Sequence, residues 1–188
     1  MEFAFLGWPD DGPTLRLDYR TFAYAGKFVM SNTGKAVARD PDADTGGEFT
    51  DVLGAVAFNG DRTDPTTAWL RYVTVREDRK GEEIGPRLCS FAVGRLLERF
   101  ERVSIAVNNP FAYEALYKVG FGFTGEETGI AELVLAHPPD LRTQEKYQSG
   151  LERYRERELS GEEEAFLDAR ISTDPPDAVH EPSRTSGN

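Results

Sequence analysis

The stretch KGEEIG, residues 80–85, lies between an apolar run ending at Val75 and an amphipathic run beginning at Ile84. Gly81 and Gly85 suit a chain turning from strand into helix, and the first N–H groups of a helix lack intrahelical acceptors. The helix start also carries partial positive charge, so a phosphate or diphosphate is favoured there. Lys80 and Arg87 flank the turn and reinforce that preference. Glu83 opposes it with a carboxylate, and Pro86 removes one N–H donor. The competing role for the same residues is a plain strand-to-helix connector. Neither GxxxxGK[ST] nor GxGxxG occurs, which excludes a Walker loop and a dinucleotide fingerprint.

A second group follows in NNPFAYEALYKVGF, residues 108–121. Asn109 and Pro110 can open a helix that Gly120 closes, so Asn108 and Asn109 are candidates for capping, ligand contact or both. Tyr117 on that helix can pack its ring in the core or offer its hydroxyl as a proton donor. A general base is harder to find. His137 and His180 are the only histidines, one beside a proline pair and one in the tail, so histidine catalysis and a multi-histidine metal site are not expected. Asp51, Glu126 and Glu127 are carboxylate candidates with solvated alternatives. Cys89 is the only cysteine, so no intrachain disulfide or cysteine metal cluster can form, and its place in an amphipathic run marks it as a small core residue.

These groups need a frame to hold them. The runs DVLGAVAFNG and AWLRYVTV read as an antiparallel pair, RVSIAV as a third strand, and GFTGEE with IAELVLA as a closing hairpin. Apolar residues at Ile84, Leu88, Phe91, Ala92, Leu96 and Phe100 recur at helical spacing, and Pro86 suits a helix start. Toward the N-terminus, TLRLDY (14–19) predicts a short strand, TFAYAGKFVM a helix or irregular segment, and SNTGK a turn. The acidic stretch DPDADTGGE is expected to be a loop. The order predicts an α/β (α+β) fold in one domain over residues 1–137, followed by an amphipathic helical extension over 138–171 and a disordered tail over 172–188. The extension could cover its own domain or make a homodimer.

The chain has 188 residues, 22 basic and 33 acidic, for a net charge of −11. That balance argues against nucleic acid and anionic membranes as partners, and mildly favours a cationic acceptor. Only five of the basic residues are lysine. With acidic groups spread along the whole chain, this suits a surface kept soluble in concentrated salt, where self-repulsion is screened. The start MEFAFLGWPDDG lacks a basic leader region and no apolar stretch is long enough to span a bilayer, so a cytoplasmic protein is expected.

Taken together, LRYVTV, the KGEEIG loop and the later Asn109, Ala112, Leu116-Tyr117, Gly120-Phe121 segment resemble the GNAT superfamily of acetyl-CoA-dependent N-acetyltransferases over about residues 50 to 136. The resemblance implies a mixed, mostly antiparallel sheet flanked by helices and splayed between LRYVTV and RVSIAV. It implies acetyl-CoA as co-substrate and no metal, with Val73, Thr74, Val75, Lys80, Gly81, Glu83, Gly85, Pro86, Asn108 and Asn109 around the coenzyme. Tyr117 becomes the acid that protonates the departing thiolate, and a small-molecule or peptide amine the acceptor. Trp69 stands where some members carry a catalytic glutamate, and with Arg71 it would shape the acceptor pocket. Three departures stand out: Lys80 for the family's Arg or Gln, Glu83 for its first glycine, and one residue too many between Asn109 and Tyr117. The first two imply weakened coenzyme binding, and a non-catalytic binding module with the same fold is the alternative.

Overall fold

The computed structural model describes residues 1–42 and 51–178. Seven strands form one sheet: β1 (Glu2–Gly7), β2 (Gly34–Arg39), β3 (Val52–Gly60), β4 (Thr67–Val75), β5 (Arg102–Val107), β6 (Gly122–Glu127) and β7 (Leu133–His137). Their order is β1-β2-β3-β4-β5-β7-β6, and only the β4–β5 pair is parallel. A parallel pair needs a long crossover, and helix α1 (Ile84–Leu96) supplies it. Helices α2 (Pro110–Lys118), α3 (Gln144–Arg155) and α4 (Gly161–Asp168) complete the chain. The expected mixed, mostly antiparallel sheet flanked by helices is therefore present.

Two devices shape β4. Its pairing with β5 runs from Thr67↔Arg102 to Leu70↔Ile105 and stops, although both strands continue. Against β3, Ala57 pairs with Tyr72 and Phe58 with Leu70, which leaves Arg71 as the extra residue of a β-bulge. The bulge thus falls just where β4 leaves β5. On one face of the sheet, Leu88, Ala92 and Leu96 of α1 pack with Val56, Phe58 and Leu70. The other face is covered by Leu15, Phe22 and Phe28, which pack on Val37, Ala55 and Ala57.

The N-terminal region departs from expectation. Residues 14–19 form no strand, and the only helical turn in 21–30 is the 3-10 turn Ala25–Lys27. Two strands stand elsewhere, as β1 in the first residues and β2 beginning at Gly34 within the expected turn SNTGK. Leu15 is buried as the strand reading of its apolar pattern implies, yet its N–H bonds to the Phe28 carbonyl within the segment instead of to a strand. Lys35 fixes this excursion. It is fully buried, and its ammonium donates to the carbonyls of Pro13 (2.5 Å), Met30 (2.7 Å) and Thr33 (2.9 Å) and to the Thr33 hydroxyl (3.1 Å).

Residues 138–171 share the main core: Tyr147, Leu151, Tyr154 and Leu167 belong to the same buried cluster as α1 and the sheet. The buried apolar face of α3 packs on its own chain. Residues 172–176 are held along α3, where Gln144 donates to Ser172, Gln148 to Thr173 and Arg142 to Pro176 carbonyls. The rest of the expected disordered tail beyond residue 178, with His180, and most of the acidic loop (43–50) lie outside the described residues. No helix among the described residues is long and apolar enough to cross a membrane.

Candidate functional site

Where β4 and β5 part, the sheet opens into two clefts that share Gly85, Pro86, Ala112 and Ala115. The larger, about 800 Å³, lies between the start of α1 and the outer face of α2. Its charged lining comprises Arg79, Lys80, Arg87 and Lys118 against the one carboxylate of Glu83, a local reversal of a strongly acidic chain. Arg79 pairs with Glu82 at 2.7 Å, Lys80 with Glu77 at 2.5 Å and Lys118 with Glu114 at 3.6 Å. The smaller cleft, about 390 Å³, penetrates the split between the strands. Leu70 and Val73 from β4, Ile105 and Val107 from β5, and Leu116 from α2 give it apolar walls.

The turn before α1 has the expected unpaired amides. Among the described residues, no N–H from Lys80 to Gly85 donates to a backbone carbonyl. Gly81 has φ +87° and nothing within 4 Å of the place a Cβ would occupy, so an anion can approach its backbone. Glu83 caps α1 with φ 57°, a left-handed conformation that costs an L-residue about 1–2 kcal/mol and that glycine adopts freely. Its carboxylate makes no capping bond, and the residue is exposed at the edge of the larger cleft. Pro86 lies in the first turn of α1, lining both clefts.

The structure brings most of the sequence candidates together. Lys80, Gly81, Glu83, Gly85, Pro86 and Val75 line the larger cleft; Val73, Arg71, Asn108 and Asn109 line the smaller. Asn109 is the cap, its side-chain carbonyl accepting from the Ala112 N–H at 2.8 Å. Asn108 is more exposed, and its backbone carbonyl is held by Arg157 at 3.2 Å. Three candidates fall outside both clefts: Thr74, Trp69 and Tyr117. Thr74 is buried, and strand alternation puts its side chain opposite Val73 and Val75. Trp69 precedes the split, with its indole N–H donating to Asp61 at 2.6 Å.

Tyr117 requires a correction. It is fully buried and lines neither cleft. Its hydroxyl accepts from the Phe123 N–H at 2.9 Å and lies 3.5 Å from the Tyr113 hydroxyl, in a cluster with Tyr147. Burial pushes its pKa above the ordinary value. Successive residues on a helix are turned by about 100°, which separates Tyr117 from Leu116. Leu116 faces the cleft, and Tyr117 faces the core that α3 closes. We expect Tyr117→Phe to cost about 1–3 kcal/mol, because the buried Phe123 N–H loses its acceptor. Turnover should be retained. Urea denaturation with parallel kinetics checks both, and a selective loss of turnover at unchanged stability would restore the hydroxyl to a chemical role.

No protein-family model matches this chain, and no curated protein does. Solved structures do. It is similar to nourseothricin acetyltransferase, with a TM-score of 0.46, 19% identity, 55% of this chain and 64% of that one covered. It is also similar to the histone acetyltransferase HPA2 and related acetyltransferase from Corynebacterium glutamicum, with a TM-score of 0.42, 17% identity, 58% and 66% covered. For aminoglycoside 6'-acetyltransferase type Ii the values are 0.46, 16%, 60% and 72%. The chain spans just under two thirds of the first two.

The sequence candidates for a base lie away from the clefts. Asp51 pairs with Arg39, Glu127 with Arg153 at 3.4 Å, and Glu126 is exposed. Residues that sequence reasoning did not place in the site do line the split: Glu132, Tyr24, Tyr72 and Cys89. Glu132 immediately precedes Leu133, which pairs with Val107 at the end of β5, so knowledge of the β5–β7 pairing would have found it. Burial pushes the Cys89 thiol up to about 12, which leaves it a protonated wall residue and not a nucleophile.

Proposed function

We propose that this chain is an N-acetyltransferase that carries an acetyl group from acetyl-CoA to an amine by direct attack. The observation that carries the proposal is the continuity of a cation-rich cleft at an amide-rich helix start with an apolar slot between two diverging strands. A long ligand with a diphosphate at one end and a thioester at the other has that profile. The amides of residues 81 to 85 would hold the diphosphate, with Lys80 and Arg87 nearby. Ala112 and Ala115 on α2 face Gly85 and Pro86 across the cleft, and small side chains there leave room for a slender pantetheine arm. Among the described residues, the β5-facing edge of β4 has no strand partner beyond Leu70, so its backbone can pair with that arm and polarise the acetyl carbonyl.

The transfer balances without a covalent enzyme intermediate. A neutral amine places its lone pair on the carbonyl carbon and forms the C–N bond. The C–S bond breaks with its electron pair on sulfur, and the amine proton passes to the thiolate through solvent. Because a thiol ionises near pH 8.5, the thiolate leaves without a dedicated acid, which accords with the burial of Tyr117. Assays belong in concentrated salt, given the acidic surface that we take as salt-adapted and cytoplasmic.

Glu83 supports a second reading, a binding module whose phosphate cradle is spoiled. Glu83→Gly separates the two. It removes both the carboxylate and the left-handed strain, and we expect acetyl-CoA to bind the native chain and to bind the variant about tenfold more tightly by calorimetry, a gain of about 1.4 kcal/mol. Binding confined to the variant favours the module. No binding to either chain sinks both.

A further inference from the structure

Arg71 is held in place without an ion-pair partner among the described residues. As the bulge residue at the split it is turned out of the β3–β4 ladder. Its Nε donates to the Asn59 side chain at 2.6 Å, and its guanidinium lies 5.0 Å from the centre of the Trp69 ring. Trp69 is in turn fixed by Asp61. Those contacts pin the stem and the plane of the guanidinium, while neither terminal nitrogen has a hydrogen bond or ion pair among the described residues. Asp61 is the nearby carboxylate, but its oxygens are engaged by Trp69 and by Thr63 and Asp64. Arg71 is exposed as a residue, yet desolvation of part of its side chain lowers its pKa, a cost that an incoming anion relieves.

The smaller cleft has two charged residues in its lining, Arg71 and Glu132. Glu132 is half-buried, and its carboxylate accepts from the Thr128 hydroxyl at 3.5 Å. The tyrosines Tyr24 and Tyr72, with ring centres 5.9 Å apart, line the same space. One fork-shaped cation and one carboxylate in the lining of the same cleft match the two charges of a small zwitterion.

We propose that the acceptor is an amino acid, its carboxylate held by the two terminal nitrogens of Arg71 and its amine received by Glu132. This rests on the acetyltransferase function proposed above, and it supplies the missing base. Glu132 takes one proton from the ammonium and afterwards releases it to solvent; the neutral amine forms the C–N bond, the C–S bond breaks with its electron pair on sulfur, and the second amine proton passes to the thiolate, giving an N-acetylamino acid and CoA thiol.

The test pairs glycine, leucine, phenylalanine and lysine with their decarboxylated counterparts methylamine, isopentylamine, phenethylamine and cadaverine. Binding of each is measured by calorimetry in concentrated salt without coenzyme, and CoA thiol release is measured with acetyl-CoA. At least one amino acid should bind and turn over about 100-fold better than its amine, and Arg71→Gln should bring that ratio near one. Arg71→Lys, which keeps charge but not the fork, should retain only part of it. Equal handling of acids and amines, binding of neither set, or a ratio unmoved in Arg71→Gln overturns the proposal. Titration of acetyl-CoA itself reports separately on the transferase function: amino-acid binding without coenzyme binding would sink that function and leave the zwitterion site standing.

Discussion

Replacing Lys35 by methionine is expected to cost about 3 kcal/mol, because the hydrogen bonds of the buried ammonium to three carbonyls and the Thr33 hydroxyl are all lost. Methionine matches the length of the chain and keeps its packing, so the loss isolates the hydrogen bonds. The damage should be local at first. Pro13, Met30 and Thr33 are the two ends of the excursion that carries Leu15, Phe22 and Phe28 onto the sheet, and that also delivers Tyr24 to the smaller cleft. The Thr21 carbonyl accepts from the Glu77 N–H at 2.9 Å, so loosening the excursion reaches the turn before α1 as well. Urea denaturation reads the global loss, and amide exchange over residues 13–33 reads the local one. A loss below about 1 kcal/mol with protection unchanged would show that the three carbonyls find water instead.

The second large effect is at Glu114, which ties α2 to the C-terminal helices. Its carboxylate accepts from the Tyr147 hydroxyl at 3.0 Å and from both Nε and Nη2 of Arg170, the latter at 2.9 Å. Removing one partner of a mostly buried pair leaves the other uncompensated, so Glu114→Ala should cost about 3 kcal/mol. The pH dependence follows from the ionisation. Burial alone would raise the Glu114 pKa, but the hydrogen bonds from Arg170 and Tyr147 outweigh it and hold the carboxyl below its ordinary 4.5. Its folded pKa is thus the lower one. The stabilisation is complete above 4.5 and is lost as pH falls through the depressed value. Thermal melts of the two chains should therefore differ most at neutral pH and converge in acid. A gap that stays constant with pH would mean that packing, and not ionisation, accounts for the loss.

How much of this was legible in the sequence depended on whether the signal was periodic. β3, β4, β5 and the β6–β7 hairpin announce themselves by apolar runs between turn residues, and α1 and α2 by their spacing and by Pro86 and Asn109. The excursion over 13–33 has no such period, since a single buried lysine bonding to distant carbonyls holds it. β2 was hidden because SNTGK carries turn-forming residues up to the point where the strand begins. In the site, the glycine turn could be read from types and spacing, and Asn109 as a cap. Tyr117 could not be placed by proximity in sequence, because one residue of offset decides which side of a helix a hydroxyl faces. Arg71 and Glu132 meet only through a bulge and a strand pairing that no local pattern encodes.

Arg157 donates to the carbonyls of Asn108 and Ala131, and Tyr154 to that of Val107. One helix end therefore clasps both rims of the split, the exit of β5 and the tip of the hairpin beside Glu132. Trimming the gene after the last strand, as a minimal catalytic fragment would invite, discards that clasp along with the helices. In grafting or recombining this scaffold, residues 138–178 have to travel with the sheet as a single inherited block.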